Sequence, residues 1–382
     1  MRLFIESSAI IAERSGIGAF TKRLIEAYHK EFPEQKIKLF GFRLFYRKFT
    51  PPIPKTDSLN YRLIRWFPGK IYTGLFKNGV PLPIDAFIGA SRKDVILFPN
   101  FVRWPLVLNK RSVAIIHDLS FVFYGQYSSG PNKDYMLKFV PKTIKKANHL
   151  ITISECSKKD MSEYYGIALD RVSIVNPFID MSLFKRTSSS EIARVKHKLK
   201  LPKKYLLYMS TIEPRKNVIG LLEAYQKLPK KVLEEYGLVL AGGKGWLNDE
   251  IHAEADRLVD QGLNIVRTGY IADEDLAALY SGATLYVFIP HYEGFGISPL
   301  EAMACGIPVI TSNNSSLPEV VGKAGLLVNA AKPLETTKAI EKLLNSPALC
   351  KRMVKEGYSQ AAKFSASRSA KQLQSAIDKV SS

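Results

Sequence analysis

Cysteine is scarce, with three in 382 residues: Cys156, Cys305 and Cys350. They are odd in number and widely spaced, form no CxxC pair and have no histidine at zinc-ligand spacing beside them. A disulfide framework and a structural zinc site are therefore excluded, and a reducing cytoplasm is expected. No run of 18 apolar residues occurs, which excludes a spanning helix by hydropathy. The opening segment, Met1 to Ile11, carries one basic residue and is interrupted by Glu6, so no signal peptide is expected either. Acids are also in short supply, 35 against 55 Lys and Arg, leaving a net charge of +20. Residues 1–180 hold 28 of the bases and 15 of the acids, so the first half is the more basic. Such an excess favours polyanionic partners, whether nucleic acid, anionic lipid or phosphorylated glycolipid, without choosing among them.

Apolar residues make up 46% of the chain, enough to bury large cores, and the length exceeds what one core supports, so two domains are expected. Short apolar, β-rich runs alternate with helical patterns, as in βα units stacked on parallel sheets. In the first half strands are expected over 3–5, 37–42, 95–99, 113–116, 150–153 and 172–175. In the second they are expected over 205–209, 238–241, 265–268, 285–289, 309–311 and 325–328. The pattern predicts an α/β chain of two doubly wound, Rossmann-like domains. Asn176-Pro177 ends a strand and a polar run follows, which places the boundary near Asp180: an N-terminal domain over 1–180, a C-terminal one over 181–364, and a polar helix over 365–382 returning to the N-terminal domain.

Residues 36–77 depart from the βα rhythm, with ten Lys and Arg, the single acid Asp57, ten aromatics, and Pro51, Pro52 and Pro54 in the middle. Basic residues interleaved with aromatic rings suit an anionic membrane surface. Core packing of the rings with snorkelling cations around them is the competing reading.

The most informative segment runs from His291 to Glu301, HYEGFGISPLE. It follows an expected strand and precedes a helix that Gly306 and Pro308 end, which puts it at the ligand-binding edge of a parallel sheet. Gly294 and Gly296 let backbone N–H groups approach a diphosphate at the positive end of the helix. Glu293 and Glu301 flank this cradle. Ser298-Pro299-Leu300-Glu301 also reads as a capping box, with Ser298 as N-cap. Glu293, between an apolar strand and a glycine loop, has no such structural task. At the end of another expected strand lies EPRKN, in which Arg215 and Lys216 precede a helix. Cations there disfavour the helix unless an anion binds, so we expect exposed cleft cations that neutralise a leaving diphosphate without a metal ion. Surface solvation alone is the alternative. In the first half, Ser15-Gly16-Ile17-Gly18 enters a helix, and His117-Asp118 follows a strand at a sheet edge.

With these pieces in this order, the chain resembles the family-four retaining glycosyltransferases of the GT-B fold, especially bacterial mannosyl- and rhamnosyl-type enzymes of surface-polysaccharide and glycolipid assembly. The likeness is strongest from Tyr205 to Asn329 and is carried by HYEGFGISPLEAMACGIPVI, with EPRKN, SGIGAF and HDLS agreeing in order and spacing. It implies two domains facing across a cleft and a nucleotide diphosphate sugar as donor, GDP-sugar favoured over dTDP- or UDP-sugar, with no cofactor and no metal. It places Arg215 and Lys216 on the diphosphate, Glu301 on the ribose and Glu293 on the transferred hexose or deoxyhexose. Gly294, Phe295, Gly296 and Ile297 meet phosphate or sugar, while Gly16 and Gly18 line the cleft, with His117 and Asp118 beside the sugar. The acceptor is expected to be a glycan or a lipid-linked species, reached from the cytoplasmic face of the membrane. The linker NPFID lacks the glycine usual in that turn of the family.

Three rivals fit less well. A sugar-nucleotide epimerase needs its own acid and base groups, and a phosphorylase needs a lysine anchoring pyridoxal phosphate. A nucleic-acid-binding protein needs a zinc site, an RNP motif or a basic helix. None of these signatures stands out.

Overall fold

Strands buried on both faces need apolar side chains on both, and runs such as LFIE, VILF, GLVLA and LYVF meet that demand with every residue buried. In a computed structural model, which describes residues 1–11, 16–43, 50–109, 111–127 and 131–381, the chain forms two compact units. One comprises Met1–Leu119, Pro131–Pro177 and Ala366–Ser382, and the other Ser120–Gly130 and Phe178–Ser365.

The first unit holds a seven-stranded parallel sheet of β1 (Leu3–Glu6), β2 (Ile37–Phe42), β3 (Leu59–Ile64), β4 (Val95–Phe98), β5 (Ser112–Ile115), β6 (His149–Thr152) and β7 (Val172–Ile174). Their order is β3-β2-β1-β4-β5-β6-β7, so the winding reverses between β1 and β4. One helix of its cover, Gly16–Glu31, packs against the C-terminal helix Ala366–Ser381. Leu373 and Ile377 of the latter join the core, and Tyr28 donates its hydroxyl to Gln374 at 2.5 Å.

The second unit holds β8 (Tyr205–Met209), β9 (Gly237–Ala241), β10 (Ile265–Gly269), β11 (Leu285–Phe288), β12 (Val309–Ser312) and β13 (Gly325–Val328) in the order β10-β9-β8-β11-β12-β13. Here the reversal falls between β8 and β11. In open parallel sheets ligands bind beyond the carboxyl ends of the strands at such a reversal.

The structure corrects the expectation for residues 36–77. Beyond β2, the stretch supplies β3, the outermost strand of the first sheet, and the helix Gly69–Lys77, so it continues the βα rhythm instead of interrupting it. An edge strand is half solvated, and Asn60 and Arg62 therefore hide β3 from an apolar reading. Its aromatics divide: Phe40 and Tyr72 are buried, whereas Trp66 is 62% exposed. Arg47 and Lys48 lie outside the described residues, as does Ser15. Among the described residues no helix is long and apolar enough to cross a membrane.

Candidate active site

The carboxyl ends of β8 and β11 bring together two segments that are far apart in sequence. After β8 the chain makes a tight turn at Pro214–Lys216, ended by Asn217 in the left-handed region at φ 56°. Asn217 spans the site's floor, its amide donating to the carbonyls of Ile289 at 3.0 Å and Ala330 at 2.8 Å. Asparagine is among the few residues that accept this backbone cheaply, so its identity is itself a signal for the turn.

Arg215 and Lys216 both reach Glu293 across the reversal. Lys216 Nζ donates to Glu293 Oε2, and Arg215 Nη1 bonds the same oxygen at 3.3 Å and the Tyr292 carbonyl at 2.8 Å. Arg215 Nη2 also pairs with Glu213 at 2.6 Å. Lys216 is buried, and the expectation of exposed cations is thereby corrected: in the free protein each is balanced by a carboxylate. Burial lowers the Lys216 pKa, the Arg215 charge adds to that, and Glu293 and Glu213 oppose it. For Glu293 burial pushes the pKa up, but the charges and hydrogen bonds of Lys216 and Arg215 outweigh it, holding the carboxyl below its ordinary range. Glu293 is therefore ionised at neutral pH and serves poorly as a proton donor.

The loop after β11 is clamped peptide by peptide. His291 N donates to the Arg215 carbonyl at 2.9 Å, and Glu293 N donates to Ser315 Oγ at 3.1 Å. Ser316 Oγ lies 2.7 and 2.8 Å from the carbonyls of Glu293 and Phe295. Gly296 has φ 96°, a backbone that strains any residue with a side chain, and a Cβ there would fall 2.6 Å from the Leu317 side chain. Gly294 is buried. The Phe295 ring packs edge-on to Phe364 at 5.4 Å, which leaves only its backbone for a ligand.

Gly296 also corrects the capping box. It is itself the N-cap, so the helix Ile297–Ala304 starts before Ser298, and no side chain caps it. The Ser298 hydroxyl instead lies 2.8 Å from the Tyr286 hydroxyl. Glu301 accepts a 2.8 Å hydrogen bond from buried Tyr280.

In the first unit His117 follows β5 and is buried, its Nε2 2.9 Å from the Pro99 carbonyl beyond β4. A ring nitrogen facing a carbonyl must carry the proton. Burial lowers the His117 pKa against the Pro99 bond and the Asp118 charge, so the neutral ring keeps Nδ1 as its acceptor. Phe20 meets the His117 ring edge-on at 5.5 Å, tying it to the helix that Gly16 begins and in which Gly18 is buried. Glu6, read from sequence only as a break in an apolar run, ends β1 at the reversal, 5% exposed, with burial raising its pKa.

The chain is similar to known proteins over most of its length. The family described as Glycosyl transferases group 1 matches residues 189–360, and Glycosyltransferase Family 4 matches residues 21–183. The O-antigen chain mannosyltransferase B of Escherichia coli is 33% identical over 341 residues, covering 86% of this chain and 87% of the relative. The serotype-specific mannosyltransferase WbdA of Escherichia coli is 33% identical over 291 residues, 74% of this chain, which spans only 34% of that larger protein. Among solved structures, sucrose-phosphate synthase from Thermosynechococcus elongatus superposes with a TM-score of 0.74 at 21% identity over 98% of each chain. At that identity the likeness speaks for the fold alone.

Proposed function

The chain belongs to the family-four glycosyltransferases of the GT-B fold, and from that premise we propose that it transfers mannose, or a related hexose or deoxyhexose, from a GDP-sugar to a growing surface polysaccharide or glycolipid. The observation that carries this reading is the Arg215–Glu293–Lys216 cluster at the reversal of the second sheet. A buried lysine and a partly buried arginine held at the edge where α/β ligands bind suit a diphosphate. An incoming donor competes with Glu293 for them and leaves that carboxylate to the sugar hydroxyls. The mannosyltransferase relatives support the sugar, and the O-antigen relative supports the polysaccharide acceptor.

In this reading Arg215 and Lys216 take the charge that builds on the departing diphosphate, the part a divalent cation plays elsewhere, and no metal is needed. Glu301 holds the ribose, and the Gly294–Gly296 backbone meets phosphate or sugar. The anomeric bond breaks and re-forms on the same face, so configuration is retained, with the leaving phosphate accepting the acceptor's proton. Gly16, Gly18, His117 and Asp118 are assigned to the first unit's share of sugar and acceptor binding. The basic, aromatic stretch 36–77 would hold the enzyme on the cytoplasmic membrane surface.

Thermal shifts with GDP, UDP, dTDP and ADP test the donor, since a ligand at 100 times its Kd adds about 2.7 kcal/mol to stability. GDP should shift the melting point most. Transfer from GDP-mannose, followed by NMR of the product's anomeric proton with and without EDTA, tests retention and metal independence. Inverted product or loss of rate in EDTA would remove those parts of the reading.

A further inference from the structure

Directly after His117-Asp118-Leu119 the chain passes into the second unit, where Ser120–Gly130 belongs. Its described part is a strap of one helical turn, Ser120–Phe123, and a tight turn, Gly125–Tyr127, with Tyr124 between them. The strap lies on the loop that carries Glu293. Tyr124 donates its hydroxyl to the His291 carbonyl at 3.1 Å, and its ring packs on Tyr292 with centroids 5.4 Å apart. Tyr127 stacks on the His291 ring at 6.2 Å, and Trp246 Nε1 donates to the Tyr127 carbonyl, pinning the far end of the strap.

Further clamps on the loop, among them Arg215, Ser312, Ser315 and Ser316, come from the continuous run of the second unit. The His291 carbonyl, by contrast, is held by a side chain from the strap, 167 positions away in sequence. Its place matters, because His291 and Tyr292 are the two residues before Glu293, and Tyr292 O is itself bound by Arg215. A displacement of that peptide moves Glu293 relative to both cations. Catalytic groups lose much of their effect when misplaced by an ångström.

We infer that Tyr124 is a positioning residue for sugar transfer: its hydroxyl on the His291 carbonyl and its ring on Tyr292 fix the loop that presents Glu293 to the donor sugar. The inference rests on the reading of the site as a sugar-nucleotide site. Tyr124→Phe keeps the ring and loses the bond, whereas Tyr124→Ala loses both.

Three measurements on the full chain test it: steady-state transfer from GDP-mannose, calorimetric Kd for GDP, and hydrogen exchange of the peptide spanning residues 290–297. For Tyr124→Phe the expected result is faster exchange in that peptide and kcat lower by roughly three- to tenfold, the range of one neutral hydrogen bond, with the Kd for GDP within about twofold. Tyr124→Ala should lose more kcat. If it does not fold, as judged by circular dichroism, Tyr124→Phe decides alone. An active parent whose Tyr124→Phe form keeps both kcat and exchange rate overturns this inference and leaves the site reading standing. A parent that transfers no sugar overturns the site reading, and this inference with it.

Discussion

Tyr280 donates its hydroxyl to Glu301 at 2.8 Å, and the two stand on successive helices of the second unit, Asp273–Ser281 and Ile297–Ala304. Tyr280 is fully buried and Glu301 is half-buried, so the phenol orients the carboxylate from the core side. With the helix capped by Gly296, no capping box explains Glu301, and a ligand role gains weight.

Glu301→Ala should therefore weaken binding of bare GDP by about tenfold or more, since a hydrogen bond to a charged group contributes about 1.5–3 kcal/mol. Tyr280→Phe should weaken it less and cost about 1 kcal/mol of stability. Glu293→Gln should impair transfer more than GDP binding, because its assigned contact is the sugar. Calorimetry and initial rates separate these cases. Parent-like GDP affinity in Glu301→Ala would remove the ribose contact.

Lys216→Ala should lower both turnover and stability, a change from what an exposed cation implies. It leaves Glu293 largely buried and deprived of its closest partner, at a cost of about 1.5–3 kcal/mol. Adding Glu293→Gln should recover part of that stability and none of the activity, while Arg215→Ala added to Lys216→Ala should cut turnover further. Denaturant midpoints across this double-mutant cycle are the check. Additive losses from Lys216→Ala and Glu293→Gln would mean that the pair is not coupled.

Much of this architecture was legible in the sequence, because strands buried on both faces cannot hide. β8, β9 and β11 stand where their apolar runs predict, and the donor segments fall at strand ends. Three features were not legible, each for a physical reason. β3 is an edge strand whose outward residues are polar. Lys216 reads as solvated until its partner, 77 positions away, is brought beside it by the sheet. The strap 120–127 joins the second unit through long-range ring contacts that no local pattern encodes. Ser298 was misread because Gly296, at positive φ, starts the helix earlier than a serine cap would.

Stability of the first unit should fall in mild acid through His149. This residue opens β6, is buried, and has Nε2 2.8 Å from Ser173 Oγ. Burial, then the charges of Lys379, Arg171 and Lys158, depress its pKa to about 4 against the pull of Asp170. Its unfolded value is near 6.5, so the unfolded chain binds the extra proton first. The stability is complete above pH 6.5 and is lost as the pH falls toward 4. Denaturant midpoints at pH 7.5, 5.5 and 4.5 should drop more steeply for the parent than for His149→Gln. Parallel profiles would assign the acid loss to other groups. Glu293, whose depressed pKa acts only below the ordinary carboxylate value of 4.5, falls outside most of that window.

The membrane reading can be tested on a specific face of the first unit. Trp66, 62% exposed, stacks on Phe87 at 5.1 Å, and Ile71, 51% exposed, lies on the helix Gly69–Lys77 beside Lys70. Exposed Val107 and Leu108 hang on the same short helix as Phe87, their amides bonded to the Asp85 carboxylate at 3.1 and 2.7 Å. An indole and aliphatic tips among lysines suit the headgroup layer of an anionic bilayer, where rings settle at the interface and cations meet lipid phosphate. Flotation with anionic vesicles should therefore weaken with salt, which screens the cationic part over about 10 Å at 0.1 M. Replacing Arg43, Arg47, Lys48 and Lys55 by Glu should release the protein at low salt and slow transfer to a lipid-linked acceptor while sparing GDP binding. Trp66→Ala should instead remove the affinity that survives high salt, because that remainder is apolar. If both variants floated as the parent does, neither these cations nor Trp66 would be the contact, and the membrane reading would rest on net charge alone.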